Sequence, residues 1–163
     1  MSTGMTDFRE IRRRDRALTE DQAREILTRA EHGVLATMGA DGWPYAIPVN
    51  HVLSGNMLYI HCAAEGHKLA NIAHEERVSF CVVTGAQVLP ATLSTLYESA
   101  VLFGRAALVE DPTEKRRALE LLAVRFCGAL TPEAERTIAA SAAQTAVVRV
   151  RLERITGKAH RSA

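Results

Sequence analysis

The chain has 163 residues, 47% of them hydrophobic and 24% charged, with a formal net charge of +1. That length buries one core and is too short for two ordinary domains, so one domain over residues 1–163 is expected, with a basic N-terminal arm over residues 1–18. Near-neutral charge gives no general pull toward nucleic acid, no apolar run approaches a membrane span, and without an apolar secretory core at the N-terminus a cytoplasmic home is the default.

The arm carries Arg9, Arg12, Arg13, Arg14 and Arg16 without interleaved aromatics, which favours a solvated or subunit-covering segment over a nucleic-acid contact. Thr19-Glu20-Asp21-Gln22 reads as a capping box, and Ala23, Ile26, Leu27 and Ala30 follow at helical spacing, so a helix runs from Glu20 to Glu31. Val34 to Met38 is apolar and β-capable, Ala40-Asp41-Gly42 supplies a hairpin turn, and Trp43 to Leu53 runs back as a second strand. Proline cannot donate to a ladder, so Pro44 and Pro48 argue for an edge, a bulge or a bend in that strand. Ser54-Gly55-Asn56 makes the next turn and Met57 to Cys62 returns. Ala63 to Lys68 then leaves the sheet and opens a short helix, where free backbone N–H groups, a positive dipole end and a lysine suit a phosphate.

Arg77 to Val83 and Thr95 to Val109 read as further strands, the second bending near Gly104. Asp111-Pro112-Thr113-Glu114 starts a helix whose buried face is Ala118, Leu119, Leu122, Ala123 and Phe126, and Gly128 stops it. Thr131-Pro132 starts another short helix, and Thr145 to Leu152 alternates as the last strand. The order is α+β with a mainly antiparallel sheet, and closing such a sheet into a barrel removes its exposed edges. Cys62, Cys81 and Cys127 are an odd number without a CxxC pair and read as reduced thiols. His51, His61, His67 and His74 lack the spacing of a metal site, and no dinucleotide-binding glycine fingerprint is present.

Val34 to Ile72, with Arg13-Arg14-Asp15-Arg16, Tyr97 to Gly104 and Ile155-Thr156-Gly157-Lys158, resembles the FMN-binding split-barrel superfamily of pyridoxamine-phosphate oxidase, and more closely its nitroimidazole-reductase-like branch. The resemblance spans about residues 11–158 and rests on the order and spacing of these segments. It implies an α+β fold, a mainly antiparallel split β-barrel with flanking helices, in a homodimer that holds FMN in the groove between subunits. His67 and Lys68 match the basic positions that hold the flavin phosphate, and Pro48, Val49, Asn50 and His51 match the strand along the flavin ring. Regular alternation allows Asn50 or His51, not both, to point at that ring. Ile60 and His61 end the neighbouring strand, and Ser99 matches a late polar position that reaches the cofactor.

A histidine at the position of His61, before a segment ending Gly-x-x-x-Ala-Asn, is the proposed catalytic residue of the reductase branch, and Gly66-His67-Lys68-Leu69-Ala70-Asn71 reproduces that ending. An imidazole there suits proton donation near neutral pH. Trp43, the sole tryptophan, sits at a turn exit, where it covers the partner's site or packs at a dimer contact. Ile47 and Val52 stand where the oxidases carry an arginine and a lysine, which argues against vitamin B6 oxidation. The implied activity is FMN-dependent reduction of a small planar acceptor such as a nitro-heteroaromatic. The rival readings are a barrel that uses deazaflavin coenzyme or haem, and a flavin-binding protein without turnover.

Overall fold

A computed structural model describes residues 8–161; the first seven residues of the expected arm lie outside them. The chain enters through a 3-10 turn at Arg14–Arg16 and a two-residue strand, β1 (Ala17–Leu18). Helix α1 (Glu20–Arg29) starts at the expected capping box: Thr19 Oγ1 accepts from Gln22 N, and Gln22 Oε1 accepts from Thr19 N. Two hairpins follow, built from β2 (His32–Met38), β3 (Pro44–Asn50), β4 (Val52–Ser54) and β5 (Met57–Ala63). Helix α2 (His67–His74) leads to the long pair β6 (Arg77–Leu89) and β7 (Ser94–Leu108). Helices α3 (Pro112–Cys127) and α4 (Pro132–Ser141) precede the last strand, β8 (Thr145–His160).

Every strand pairing is antiparallel, in the order β3-β2-β6-β7-β8-β5-β4, with β1 added against β8. The two ends of this order, β3 and β4, are consecutive in the chain with His51 alone between them. One bent strand therefore pairs with β2 before the bend and with β5 after it, and the sheet curls until its ends meet at His51. This is the α+β split barrel, and the bend is the interruption that Pro44 and Pro48 signalled.

The barrel interior is filled by Leu35, Leu58, Ile60, Phe80, Val82, Leu102, Val148 and Val150, all buried, and α1 closes it with Ala23, Ile26 and Leu27. A second cluster of Val109, Ala118, Leu119 and Val147 seats α3 against the outside of β5 and β8. Several strands are longer than their sequence suggests. The irregularity between Thr84 and Gln87 interrupts the β6 pattern without ending the strand. On β8, the register shift opposite Phe103 and Gly104 inserts Glu153 and breaks the alternation that stops at Leu152.

Candidate functional site

The start of α2 brings two of the expected site residues together. Gly66 is the N-cap at φ 135°, a conformation that favours glycine, and no side chain caps the helix there. The His67 ring stacks on Tyr45 of β3 with centroids 4.1 Å apart. Lys68 is half-buried, and its charge acts on the Cys62 thiol. Burial pushes the Cys62 thiol up, and the neighbouring Lys68 charge opposes that rise.

Asn71, buried in the middle of α2, locks the helix in place. Its Nδ2 donates to Thr37 Oγ1 at 3.0 Å, and the Thr37 hydroxyl lies 3.3 Å from the Tyr45 carbonyl it donates to. The segment that carries His67 and Lys68 is thus tied to both strands of the first hairpin. Asn71 was visible only as the last residue of a motif, and Tyr45 carried no sequence signal for its position over His67.

Strand β3 ends the strand order, so before the bend its backbone pairs on the β2 side alone. Pro48 and Asn50 are exposed on its outer face, and Asn50 Nδ2 donates to the Glu31 carbonyl at 3.1 Å. Val49 packs inward against the core.

Two of the expected cofactor residues turn their side chains into the barrel. The Ile60 side chain is fully buried inside the barrel, because β5 alternates and Leu58 and Ile60 share its inner face. His51 is also fully buried, its ring edge-on to Phe80 at 4.8 Å. Nε2 lies 2.8 Å from the Leu27 carbonyl, so Nε2 carries the proton and satisfies a last-turn carbonyl of α1. Burial lowers the His51 pKa, the Leu27 contact opposes this, and the charge of Arg125 adds to the lowering. Arg125 reaches from α3 to the Ala30 carbonyl at 2.6 Å. His51 Nδ1 and Arg125 Nε are buried without a protein partner. Neither the His51 nor the Ile60 side chain is open to a ligand outside the barrel.

His61 is exposed near the end of β5 and pairs in register with Val147. Alternation sends its ring to the strand face opposite Cys62, so His61 points away from Cys62 within one chain. Behind it on the same face, Tyr59 donates to Glu114 Oε1 at 3.0 Å, and Arg149 holds Glu114 Oε2 at 2.7 Å. Ser99 donates to the Lys158 carbonyl at 3.3 Å and pairs with Val83. Tyr45 stands level with Thr37, and the registers carry that level through β6 to Val78 and Gly104. Ser99 is five residues further along β7, about 17 Å at ordinary strand rise, and does not join His67 and Lys68 within one chain.

The outer sheet face between these levels is apolar. Val34, Met38 and Val83 are exposed on it, with Pro44, Ala46 and Pro48 beside them, and Trp43 at the hairpin turn is 74% exposed. No described helix is long and apolar enough to cross a membrane.

Comparison with known proteins agrees with this architecture. No curated protein matches the chain. Among solved structures, a candidate 5-nitroimidazole antibiotic resistance protein of Bacteroides thetaiotaomicron is similar at TM-score 0.71 and 23% identity, over 87% of this chain and 85% of that one. A conserved hypothetical protein of Mycobacterium tuberculosis is similar at TM-score 0.79 and 21% identity, over 94% and 97% of the two chains. The flavocytochrome Anf3 of Azotobacter vinelandii is similar at TM-score 0.77 and 18% identity, over 94% of this chain and 73% of its own. At such identities the shared feature is the fold. The family model described as pyridoxamine 5'-phosphate oxidase matches residues 19–159, and the chain belongs to that family.

Proposed function

We propose that the protein binds FMN at the mouth formed by β3, the end of β5 and the start of α2, and that it works as a flavin-dependent reductase. The observation that carries this reading is the placement of Lys68 and His67 at an uncapped helix start, beside an edge strand with unpaired backbone groups. A cation, a ring nitrogen and open amides suit a phosphate dianion. The free edge of β3 around Pro48, Val49 and Asn50 suits the polar rim of a flavin ring, which needs backbone donors and acceptors rather than particular side chains. A nitroimidazole-resistance relative and a flavocytochrome among the structural neighbours support a redox role.

The bound flavin would supply the electron transfer, and the residues of this chain bind, orient and protonate around it. Lys68 and His67 hold the phosphate, and Tyr45 fixes the His67 ring. In the homodimer, the ring of His61, which faces away from Cys62 within its own chain, donates a proton to a small planar acceptor at the partner's flavin, a nitro-heteroaromatic being the class the relatives suggest. The apolar outer face supports a homodimer, in which Ser99 and Trp43 reach the site from the second copy. Free Cys62, Cys81 and Cys127 accord with a reducing, cytoplasmic setting.

The test is titration of the purified protein with FMN, deazaflavin coenzyme and haem in separate cuvettes, followed by turnover with a nitroimidazole and a reduced nicotinamide as the electron donor that reduces the bound flavin. Saturable FMN binding that Lys68→Gln weakens about tenfold or more supports the site. Retained flavin with lost turnover in His61→Ala supports the proton donor. Binding of deazaflavin or haem in place of FMN overturns the cofactor, and FMN binding with no turnover leaves a flavin carrier.

A further inference from the structure

Three segments that the proposed flavin mouth leaves largely unused converge at the far end of the outer sheet face. They are Arg13–Arg16, Tyr97–Ser99 and Ile155–Lys158. The two-residue strand β1 pairs Ala17 with Lys158 and Leu18 with Gly157, which sets Arg16 beside the Lys158 position. Gly157 permits this approach: a Cβ there would lie 2.9 Å from Ala23 Cβ and 3.0 Å from Leu18 Cβ. On the other side of β8, Ser99 pairs with Lys158, and Tyr97 projects from the same face of β7.

The side chains then meet. The Lys158 ammonium is 5.8 Å from the centre of the Tyr97 ring, and the charges of Lys158 and Arg16 both act on the Tyr97 hydroxyl. Burial alone would raise the Tyr97 phenol, but these two cations outweigh it and hold the pKa below its ordinary value. Arg13 adds positive charge at the same phenol, although its guanidinium is engaged by Asp15 at 2.8 and 2.6 Å. Glu98, on the opposite face of β7, is occupied by Arg29 and Arg161. Among the described residues no carboxylate forms an ion pair with Arg16 or Lys158. Half-buried like charges held together by backbone pairing repel one another, and an anion would offset that repulsion.

We propose that Arg16, Lys158 and the Tyr97 hydroxyl form a binding site for a compact oxyanion, a phosphate group above all, distinct from the His67–Lys68 pair. Two cations and a phenolic O–H provide several charge-assisted donors in one place. The phosphate is either free or esterified to a larger molecule, and this site recognises the chemistry common to both.

The test uses inorganic phosphate with the full chain, at constant ionic strength and with chloride as control, by calorimetry. Lys158→Gln and Arg16→Gln are each expected to weaken one phosphate-binding event about tenfold, with a smaller loss in Tyr97→Phe. Lys68→Gln is expected to leave that event intact, so the result does not depend on the flavin reading. Displacement of the phosphate by FMN in Lys68→Gln, but not by riboflavin, identifies an esterified source; no displacement identifies free phosphate. Phosphate binding unchanged in all three cluster variants, or abolished by Lys68→Gln alone, overturns the proposal. Tyr97→Phe keeps the aromatic ring and guards against a loss caused by misfolding.

Discussion

His51, at the corner between β3 and β4, and His61, on β5, stand ten residues apart, yet their surroundings are opposite. At the bend, His51 is sealed between Phe80 and the Leu27 carbonyl while Asn50 and Arg125 donate to the Glu31 and Ala30 carbonyls, so polar atoms tie a helix end to a strand corner. Near the end of β5, His61 faces out on the strand face opposite Cys62 and is exposed. The same side chain builds the barrel in one place and is free for chemistry in the other, and the strand face it occupies makes the difference.

The largest effect that tests this contrast is on stability. His51→Ala removes a filled core position and leaves the Leu27 carbonyl without its donor, which costs about 2–4 kcal/mol in urea unfolding. His61→Ala stays within about 0.5 kcal/mol of the parent. Equal losses in the two variants would erase the distinction.

Acid sharpens it. The folded pKa of His51 lies below its ordinary 6.5, so the unfolded chain takes up the proton first. The contribution of neutral His51 is fully present above pH 6.5 and is lost as pH falls from there toward the lowered native value. A single such group contributes at most about 1.4 kcal/mol per pH unit. His51→Gln is expected to flatten this part of the stability profile, and an unchanged slope would remove His51 as its source.

The smallest effect marks where the closed wall ends. Tyr59 shares the outer face of β5 with His61 but lies under α3, bonded to Glu114. Tyr59→Phe is expected to cost about 1 kcal/mol by thermal unfolding and to leave flavin affinity unchanged. A loss of flavin would extend the binding mouth under α3.

Much of the frame was legible locally. Both hairpin turns, the capping box of α1 and the start of α2 depend on residues within a few positions of one another. The inward course of His51 was also present in the pattern: Ile47, Val49 and Leu53 share its parity, and alternation carries His51 onto their face. Its polarity masked that signal. The partners that make its burial tolerable, Leu27 from α1 and Arg125 from α3, are distant in the chain and leave no local trace. The meeting of Arg16, Tyr97 and Lys158 is hidden for the same reason, since strand pairing and a glycine bring together segments that each look ordinary. Bulges concealed the full lengths of β6 and β8, because one inserted residue reverses the parity on which strand recognition rests.

The order of strands also constrains how the chain folds. β8, the last strand in sequence, lies between β7 and β5 and also receives β1, so the corner at His51 cannot close a barrel until residues 145–160 have arrived. During synthesis the early hairpins cannot be enclosed in the barrel until residues 145–160 are available, and a hairpin alone is marginally stable. Closure then joins the earliest and latest parts of the chain in one step, which favours slow, cooperative folding over stepwise accretion.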